Sequence, residues 1–235
     1  MMRSVLGVAL SCGLMFSAAA SAGSVTGTVV YDGEVKRSRL LNMSSDPGCV
    51  KASNGERIPN PAVTLGKDQG VANVFVHIAN PPAGPHTAPS EPLVIDQDGC
   101  MYHPRVAGTM VGQPVKYLNS DGILHNVHGL PKANREFNVP MPPRVRETEQ
   151  SFNKPEPLFP VKCDVHPWMQ SFLAVMDHPY FAVTDGDGRF SIEGLADGTY
   201  EVAVWHERFG TQTGTATVKD GAATVDFSFQ GTPKR

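Results

Sequence analysis

The sequence predicts an all-β protein. The 235-residue chain contains 23 glycines and 20 prolines, its apolar residues recur in short alternating runs, and few stretches keep a helical period. Glycine and proline in such numbers interrupt helices and mark turns between short strands. The chain is long enough to build one large hydrophobic core or two small ones.

The first 22 residues have the pattern of a secretory signal peptide. One basic residue, Arg3, precedes an apolar run from Val5 to Phe16, and an Ala-x-Ala site follows and ends at Ala22. The apolar run is too short to cross a bilayer, and no later stretch is long and apolar enough to do so. We therefore expect cleavage near Ala22 and a periplasmic or secreted product. The alternative is a buried first strand or helix.

The charge balance is mildly acidic. Lysine and arginine number 20 and aspartate and glutamate 23, which gives a net charge of −3. Removal of residues 1–22, which contain one arginine, leaves 19 basic against 23 acidic side chains and a net charge of −4. A protein that binds nucleic acid favours a basic face, so we expect no nucleic-acid partner.

Two alternating runs near the N-terminus predict strands. Residues 24–31 are rich in β-branched side chains and end at an Asp-Gly turn, and residues 71–78 alternate in the same way. Residues 36–68 between them are rich in proline, glycine, asparagine and charge, which predicts a long loop. Residues 81–89 hold four prolines. Because proline cannot donate to a sheet, this stretch predicts a linker and a domain boundary.

The middle of the chain predicts further strands around one short loop. Runs at residues 93–95, 105–107 and 115–118 have strand character, whereas the stretch between His128 and Phe159 is rich in proline and charge. Residues 158–162 and 171–176 then predict two strands that enter and leave the loop. Two strands hold the ends of such a loop still while the loop brings its side chains together.

That loop places a thiolate, an imidazole and a thioether within seven residues, at Cys163, His166 and Met169. This soft ligand set suits copper and electron transfer better than hard cations or hydrolysis, and Pro167 stiffens the loop. A trigonal or tetrahedral site also requires a second imidazole, which His125 can provide from 38 positions upstream. We predict a copper site with a weak axial methionine. The alternative is a free buried cysteine among unrelated histidines.

The segment from about residue 92 to 179 resembles the cupredoxins, the small blue copper proteins, and its metal loop is most similar to the amicyanin type. His125-Asn126, Tyr102-His103-Pro104, Gly112 and Asn119-Ser120-Asp121 repeat further family motifs in the family's order. The resemblance implies a Greek-key β-sandwich or barrel with copper bound by His125, Cys163, His166 and Met169. It also implies that Asn126 ties the strand of His125 to the metal loop.

Two neighbours of the predicted ligands have alternative roles. His125-x-x-His128 is itself a plausible ligand pair on a turn, but residues three apart on a strand face opposite sides. We therefore expect His128 outside the ligand set and keep it as an alternative extra ligand. Pro167 and Trp168 flank the edge of His166, which we expect to be partly exposed for weak docking of a redox partner. The alternative is that Trp168 only packs the loop.

Three cysteines follow the predicted signal peptide: Cys49, Cys100 and Cys163. If Cys163 binds the metal, Cys49 and Cys100 can form a disulfide, which an oxidising compartment permits. The alternative is two unpaired buried thiols.

The C-terminal part resembles the carboxypeptidase regulatory-like domain, a transthyretin-like β-sandwich. Thr184-Asp185 followed by Gly188 and Phe190, and then Gly198-Thr199-Tyr200, match its hairpin and strand motifs. The first two strands of that family have counterparts at residues 25–31 and 71–78, before the cupredoxin-like segment. We predict a discontinuous sandwich of residues 23–91 and 180–235, with residues 92–179 inserted at a loop whose two ends are close.

The function predicted from these motifs is that of a periplasmic blue copper protein that carries one electron between redox partners, such as a cytochrome or a dehydrogenase. We do not expect an enzyme, because the chain has no second set of paired histidine motifs for a catalytic copper and no hydrolase or phosphate-loop motif. Two alternatives stay open. One is a copper-binding or copper-delivery protein without redox turnover, and the other is a sandwich interaction module with a structural metal.

Overall fold

The computed structural model describes residues 22–34, 38–231 and 233. The predicted signal peptide lies outside these residues except for Ala22. The described residues form one α-helix and 17 strands. In chain order these are β1 Gly23–Asp32, α1 Pro47–Ala52, β2 Phe75–Ile78, β3 Leu93–Asp98, β4 Met101–His103, β5 Val106–Met110, β6 Val115–Asn119, β7 His125–Gly129, β8 Phe137–Met141, β9 Glu147–Gln150, β10 Glu156–Lys162, β11 Gln170–Met176, β12 Phe181–Val183, β13 Arg189–Leu195, β14 Gly198–His206, β15 Gly210–Val218, β16 Ala222–Thr224 and β17 Phe227–Gln230.

The protein is all-β, as the sequence predicts, and its strands build two sandwiches. The first sandwich contains the sheet β5-β11-β10-β7-β8 and the sheet β4-β3-β6-β9. Its core lies between these sheets and includes Ile95, Tyr117, Val127, Val161 and Leu173, all fully buried. The two strands that flank the predicted metal loop, β10 and β11, are antiparallel neighbours at the centre of the first sheet.

The second sandwich combines strands from both ends of the chain. One sheet has the order β13-β1-β16, with β17 also paired to β1, and the other has the order β12-β2-β14-β15. Its core includes Val25, Val76, Ile192 and Val202. The first two strands therefore pair with strands that follow residue 180, while β3–β11 build the first sandwich. The domain boundaries at residues 91 and 180 stay a prediction.

The two sandwiches pack against each other through a third apolar cluster. Phe75, Val106, Phe172 and Ala174 are its buried members. Beside this cluster, Arg105 Nε lies 2.5 Å from Glu207 Oε1, and both side chains are 10% exposed. An ion pair so far removed from water is costly to break, because a single buried charge would remain.

Several elements are absent from the sequence prediction, and three of them lie in stretches that it describes as loop or as rich in proline and charge. The short helix α1 lies in the stretch predicted as a loop, and β8 and β9 lie in the stretch rich in proline and charge. Both strands are at the edge of their sheets. Edge strands tolerate proline and charged residues because one side of the backbone needs no partner, so their sequences carry a weak strand signal. Within the described residues, no helix has the length and apolar character that a bilayer crossing requires.

Candidate metal centre

The fold brings three of the predicted ligands together at one end of the first sandwich. His125 is the first residue of β7, and β7 pairs with β10 in the sheet. The β10–β11 connection contains Cys163, His166 and Met169 and begins beside that strand. Within the connection, the Cys163 N–H donates to the Met169 carbonyl at 3.2 Å, and the Met169 N–H donates to the His166 carbonyl at 2.9 Å. These two bonds curl the loop, in which the side chains of Cys163, His166 and Met169 are buried.

The ligand atoms of His125, Cys163 and His166 converge on one point. Cys163 Sγ lies 4.0 Å from His125 Nδ1 and 3.8 Å from His166 Nδ1. The two Nδ1 atoms are 3.0 Å apart. Nitrogen and sulfur ligands bind a zinc-sized ion at roughly 2.0 and 2.3 Å, which separates ligand atoms by about 3 to 4 Å. The three side chains therefore fit a single soft transition-metal ion.

The outer nitrogen of each histidine is held by a carboxylate. His125 Nε2 donates to Asp121 Oδ2 at 2.8 Å, and the side chains of both residues are fully buried. His166 Nε2 donates to Asp46 Oδ2 at 2.9 Å. Since a carboxylate only accepts hydrogen bonds, these contacts place the proton on Nε2 and leave Nδ1 free for a metal.

The sequence reasoning missed both carboxylates. Asp121 stands in the Asn-x-Asp motif, but nothing in the sequence indicates that it contacts His125. Asp46-Pro47-Gly48 has the pattern of a helix start, with aspartate as the N-cap residue. That pattern could have revealed α1, although not its contact with His166, which lies 120 positions further along the chain.

Met169 is fully buried and belongs to the same apolar core as Cys163. A thioether needs no hydrogen-bond partner, so it fits such a core whether or not it contacts a metal. The role of Met169 as an axial ligand stays a prediction.

The three converging side chains strongly affect one another's protonation. Burial raises the pKa of Cys163, but its hydrogen bonds with His125 and His166 outweigh burial and lower the pKa to about 6. Burial lowers the pKa of His125, yet the hydrogen bonds with Asp121 and Cys163 raise it to about 9. The balance at His166 is similar and leaves its pKa above the ordinary value. A thiolate is the form of cysteine that binds metals, so the centre favours the reactive form.

Asn126 connects the strand of His125 to the loop. Its Oδ1 accepts the Asp164 N–H at 2.7 Å, and its Nδ2 donates to Asp164 Oδ2 at 2.9 Å. Tyr102 adds a second connection, because its hydroxyl donates to the Asn126 carbonyl at 2.6 Å and lies 3.2 Å from the Lys162 carbonyl. These contacts fix the distance between β7 and β10, and therefore between His125 and Cys163.

The structure does not bring His128 into this cluster. Its Nδ1 lies 3.0 Å from Asp164 Oδ1, and its Nε2 lies 3.2 Å from Glu136 Oε1. The hydrogen bond with Asp164 outweighs burial and raises the pKa of His128. Because the two carboxylates lie at opposite nitrogens of the ring, they do not form a shared metal site with it.

The expectation that the edge of His166 is partly exposed is wrong. His166 is 1% exposed, because Asp46 and the first turn of α1 cover its outer nitrogen. Trp168 packs beside it, with the two ring centroids 5.3 Å apart, and donates its indole N–H to the Cys100 carbonyl at 3.1 Å. Pro167 is exposed at the same turn. A docking role for Trp168 stays a prediction.

Cys49 and Cys100 form a disulfide, as the sequence predicts. Both residues are fully buried, and their sulfur atoms and one ring nitrogen of His166 all lie within 4.8 Å of one another. The disulfide therefore packs directly against the candidate metal centre. Cys163 is the only unpaired cysteine within the described residues.

Comparison with protein-family models supports the second sandwich. Residues 174–230 match the carboxypeptidase regulatory-like domain. This match confirms the resemblance predicted for the C-terminal part of the chain. None of the curated proteins matches the chain.

Solved structures similar to this chain include cupredoxins. A purple cupredoxin from Nitrosopumilus maritimus shares 23% identity at a TM-score of 0.30, over 35% of this chain and 98% of its own. A reduced mutant of amicyanin shares 21% identity at a TM-score of 0.33, over 43% of this chain and 97% of its own. A copper-containing nitrite reductase from Thermus scotoductus SA-01 shares 21% identity at a TM-score of 0.34, over 41% of this chain and only 25% of the reductase.

Proposed function

We propose that this protein binds one copper ion through His125, Cys163, His166 and Met169 and carries single electrons between redox partner proteins in the periplasm. The observation that carries the proposal is the convergence of two histidine Nδ1 atoms and one cysteine sulfur, all within 4.0 Å of one another. Copper in such a set changes oxidation state with little change in geometry, and a weak thioether ligand tunes its potential.

The surroundings of the centre support a preorganised copper site. Asp121 and Asp46 orient the two imidazoles from outside, and Asn126 and Tyr102 hold the two ligand-bearing strands together. Copper(I) and copper(II) favour different coordination geometries. Because these side chains hold the ligands in place, the ligands cannot rearrange when copper changes its oxidation state. A rigid site of this kind suits repeated electron transfer.

Burial of the centre favours an electron carrier over a copper-delivery protein. Cys163 is 3% exposed and His166 is 1% exposed, so an acceptor protein cannot reach either ligand while the fold is closed. Transfer of a copper ion requires that the acceptor protein contact the metal or its ligands. Electron transfer requires only that the redox partner come close to the centre. Rapid electron exchange with a reduced cytochrome, without copper loss to an apo-acceptor, is the expected behaviour.

Addition of Cu(II) to the purified metal-free protein tests the proposal. We expect one equivalent of copper and an intense visible band from thiolate-to-copper charge transfer. Cys163→Ser removes the thiolate and should abolish the band, whereas His128→Gln, a control outside the cluster, should keep it. A colourless wild-type protein, or a band that survives in Cys163→Ser, contradicts the ligand set.

A further inference from the structure

A segment outside the ligand loop closes the candidate metal centre from the outside. We call residues 41–58 the strap. They contain α1 and lie between two strands of the second sandwich in the sequence. Even so, Leu41, Met43, Ala52 and Ile58 pack against the core of the first sandwich. The strap thus belongs with the metal centre and not with its sequence neighbours.

Asp46 forms the first attachment between the strap and the centre. Its Oδ1 accepts the Gly48 N–H at 2.7 Å and so caps α1. Its Oδ2 accepts from His166 Nε2 at 2.9 Å. One carboxylate therefore joins the start of the helix to a predicted ligand, and the contact with His166 lowers the pKa of Asp46.

The Cys49–Cys100 disulfide forms the second attachment. It joins α1 to the hairpin between β3 and β4. The N–H groups of Gly99 and Cys100 in that hairpin donate to Asp121, the partner of His125. The disulfide therefore connects the strap to the supports of both histidines.

The strap covers His166 and comes close to the chain that leads into His125. A methyl group on Gly48 would come within 3.2 Å of Ile123, which lies two positions before His125. Asp46 covers His166, whose side chain is 2% exposed, while the Asp46 side chain is itself 36% exposed. The α1 helix has only six residues, and a helix this short is unstable alone. Its position therefore depends on the apolar packing of the strap and on the two attachments.

We propose that the strap is a gate: Asp46 is the positioning residue for His166, and the Cys49–Cys100 disulfide holds the strap closed over the bound copper. Copper then enters before the disulfide forms or after it is reduced, and the closed strap retains it. This proposal rests on the proposed copper function.

Because Cys49 and Cys100 are fully buried, a dithiol reductant reaches them during a local opening of the strap and then opens the gate by thiol–disulfide exchange. One thiolate of the reductant attacks one sulfur of the Cys49–Cys100 disulfide and releases the other cysteine as a thiolate, which leaves a mixed disulfide. The second thiolate of the reductant then attacks the reductant's own sulfur in that mixed disulfide and releases the second cysteine. Cys49 and Cys100 together gain two electrons and two protons, and the reductant becomes a disulfide. The reverse exchange with an oxidised dithiol protein closes the gate.

Alkylation of Cys163 in the metal-free protein measures opening without any metal. Iodoacetamide alkylates the cysteine, and peptide mass spectrometry measures the rate of alkylation of Cys163. This residue is 3% exposed, so the rate reports how often the strap opens. The disulfide joins residues 51 positions apart and so lowers the conformational entropy that the strap gains when it opens. The double variant Cys49→Ser/Cys100→Ser should therefore be alkylated faster, on the order of a hundredfold. Val50→Ala, an exposed change in the same helix, should leave the rate unchanged.

A pair of substitutions separates positioning by Asp46 from helix capping. Asp46→Ser keeps a capping hydroxyl but cannot reach His166, so we expect alkylation to be about tenfold faster and the visible band of the copper form to shift. Asp46→Asn also keeps the cap, because its amide oxygen can take the place of Oδ1. Its amide NH2 group then faces His166 Nε2, which is also a donor, so we expect the same faster alkylation and a similar shift of the band. Wild-type rates and band in both variants would show that Asp46 does not position His166. Because these variants retain the disulfide, they decide the question even if the double serine variant does not fold.

Copper uptake and withdrawal complete the test. We expect the double serine variant to gain copper, and to lose it to a chelator, much faster than wild type. Equal alkylation rates in all variants overturn the gate, even if copper gives the protein its visible band. Absence of the band in wild type overturns the copper function, whatever the alkylation rates are.

Discussion

His125 Nε2 lies 2.8 Å from Asp121 Oδ2, and both side chains are fully buried. The same carboxylate accepts the N–H groups of Gly99 and Cys100 at 2.7 and 2.9 Å. Asp121 is thus fixed by the backbone and in turn fixes the imidazole. This arrangement orients Nδ1 toward Cys163 before any metal arrives.

We expect Asp121→Asn to weaken copper binding by about 10- to 100-fold, because the imidazole loses both its orientation and part of its basicity. Titration against a competing chelator measures this change. Asp98→Asn alters an exposed carboxylate on the neighbouring hairpin and serves as the matched control. Wild-type affinity in Asp121→Asn would show that the contact is only structural.

The pKa of Cys163 makes copper binding depend on pH. In the folded metal-free protein this pKa is about 6, against an ordinary value of 9.0, so the thiolate is present from about pH 6 upward. Its ultraviolet absorbance should therefore appear with a midpoint near pH 6. Protons compete with copper for the sulfur below about pH 6 and for His125, whose pKa is about 9, below about pH 9. The affinity should therefore fall as the pH is lowered from about 9.

The two histidines provide the control for this titration. They lower the pKa of Cys163 through their hydrogen bonds, so His125→Gln should move the midpoint upward. A wild-type midpoint near the ordinary cysteine value would mean that the imidazoles do not act on the sulfur in solution.

Tyr102→Phe should reduce the free energy of unfolding by about 1–3 kcal/mol, because its hydroxyl bonds to the buried Asn126 carbonyl. Chemical denaturation measures the loss. Tyr200→Phe removes a comparable bond to the Ala196 carbonyl in the second sandwich. Only the Tyr102 variant should also change the visible copper band, since only Tyr102 spans the two ligand-bearing strands. An equal change of the band in both variants would rule out this role.

Copper(II) should quench the fluorescence of Trp168 more than that of Trp205. The ring centroid of Trp168 is 5.3 Å from that of His166, whereas Trp205 packs on Phe172 where the two sandwiches meet. The chain has only these two tryptophans. Most of the quenching should therefore disappear in Trp168→Phe and remain in Trp205→Phe. The opposite pattern would place the metal elsewhere.

The sequence predicted the all-β fold because strand alternation and turn residues are local signals. It also pointed to Cys163 and His166, which are three positions apart in one short loop, and the fold brings both together with His125. The Cys49–Cys100 pairing followed from counting cysteines in an oxidising compartment, and the structure contains that disulfide.

The supports of the centre could not be predicted in the same way. Asp46 reaches His166 across 120 positions, and only the folded arrangement of the strap creates that contact. The expected exposure of His166 was wrong for the same reason, because the covering residues come from a segment that looks like a plain loop. Long-range contacts of single polar side chains leave no periodic signal in a sequence.

The most direct measurement is the position of the copper ion itself. Crystals of the copper-loaded protein, measured at the copper absorption edge, give an anomalous difference map that locates the metal. We expect one strong peak within bonding distance of Cys163 Sγ and of Nδ1 of both His125 and His166. A peak at another group, such as His128 and Asp164, with none among these three atoms, would contradict the proposed copper site.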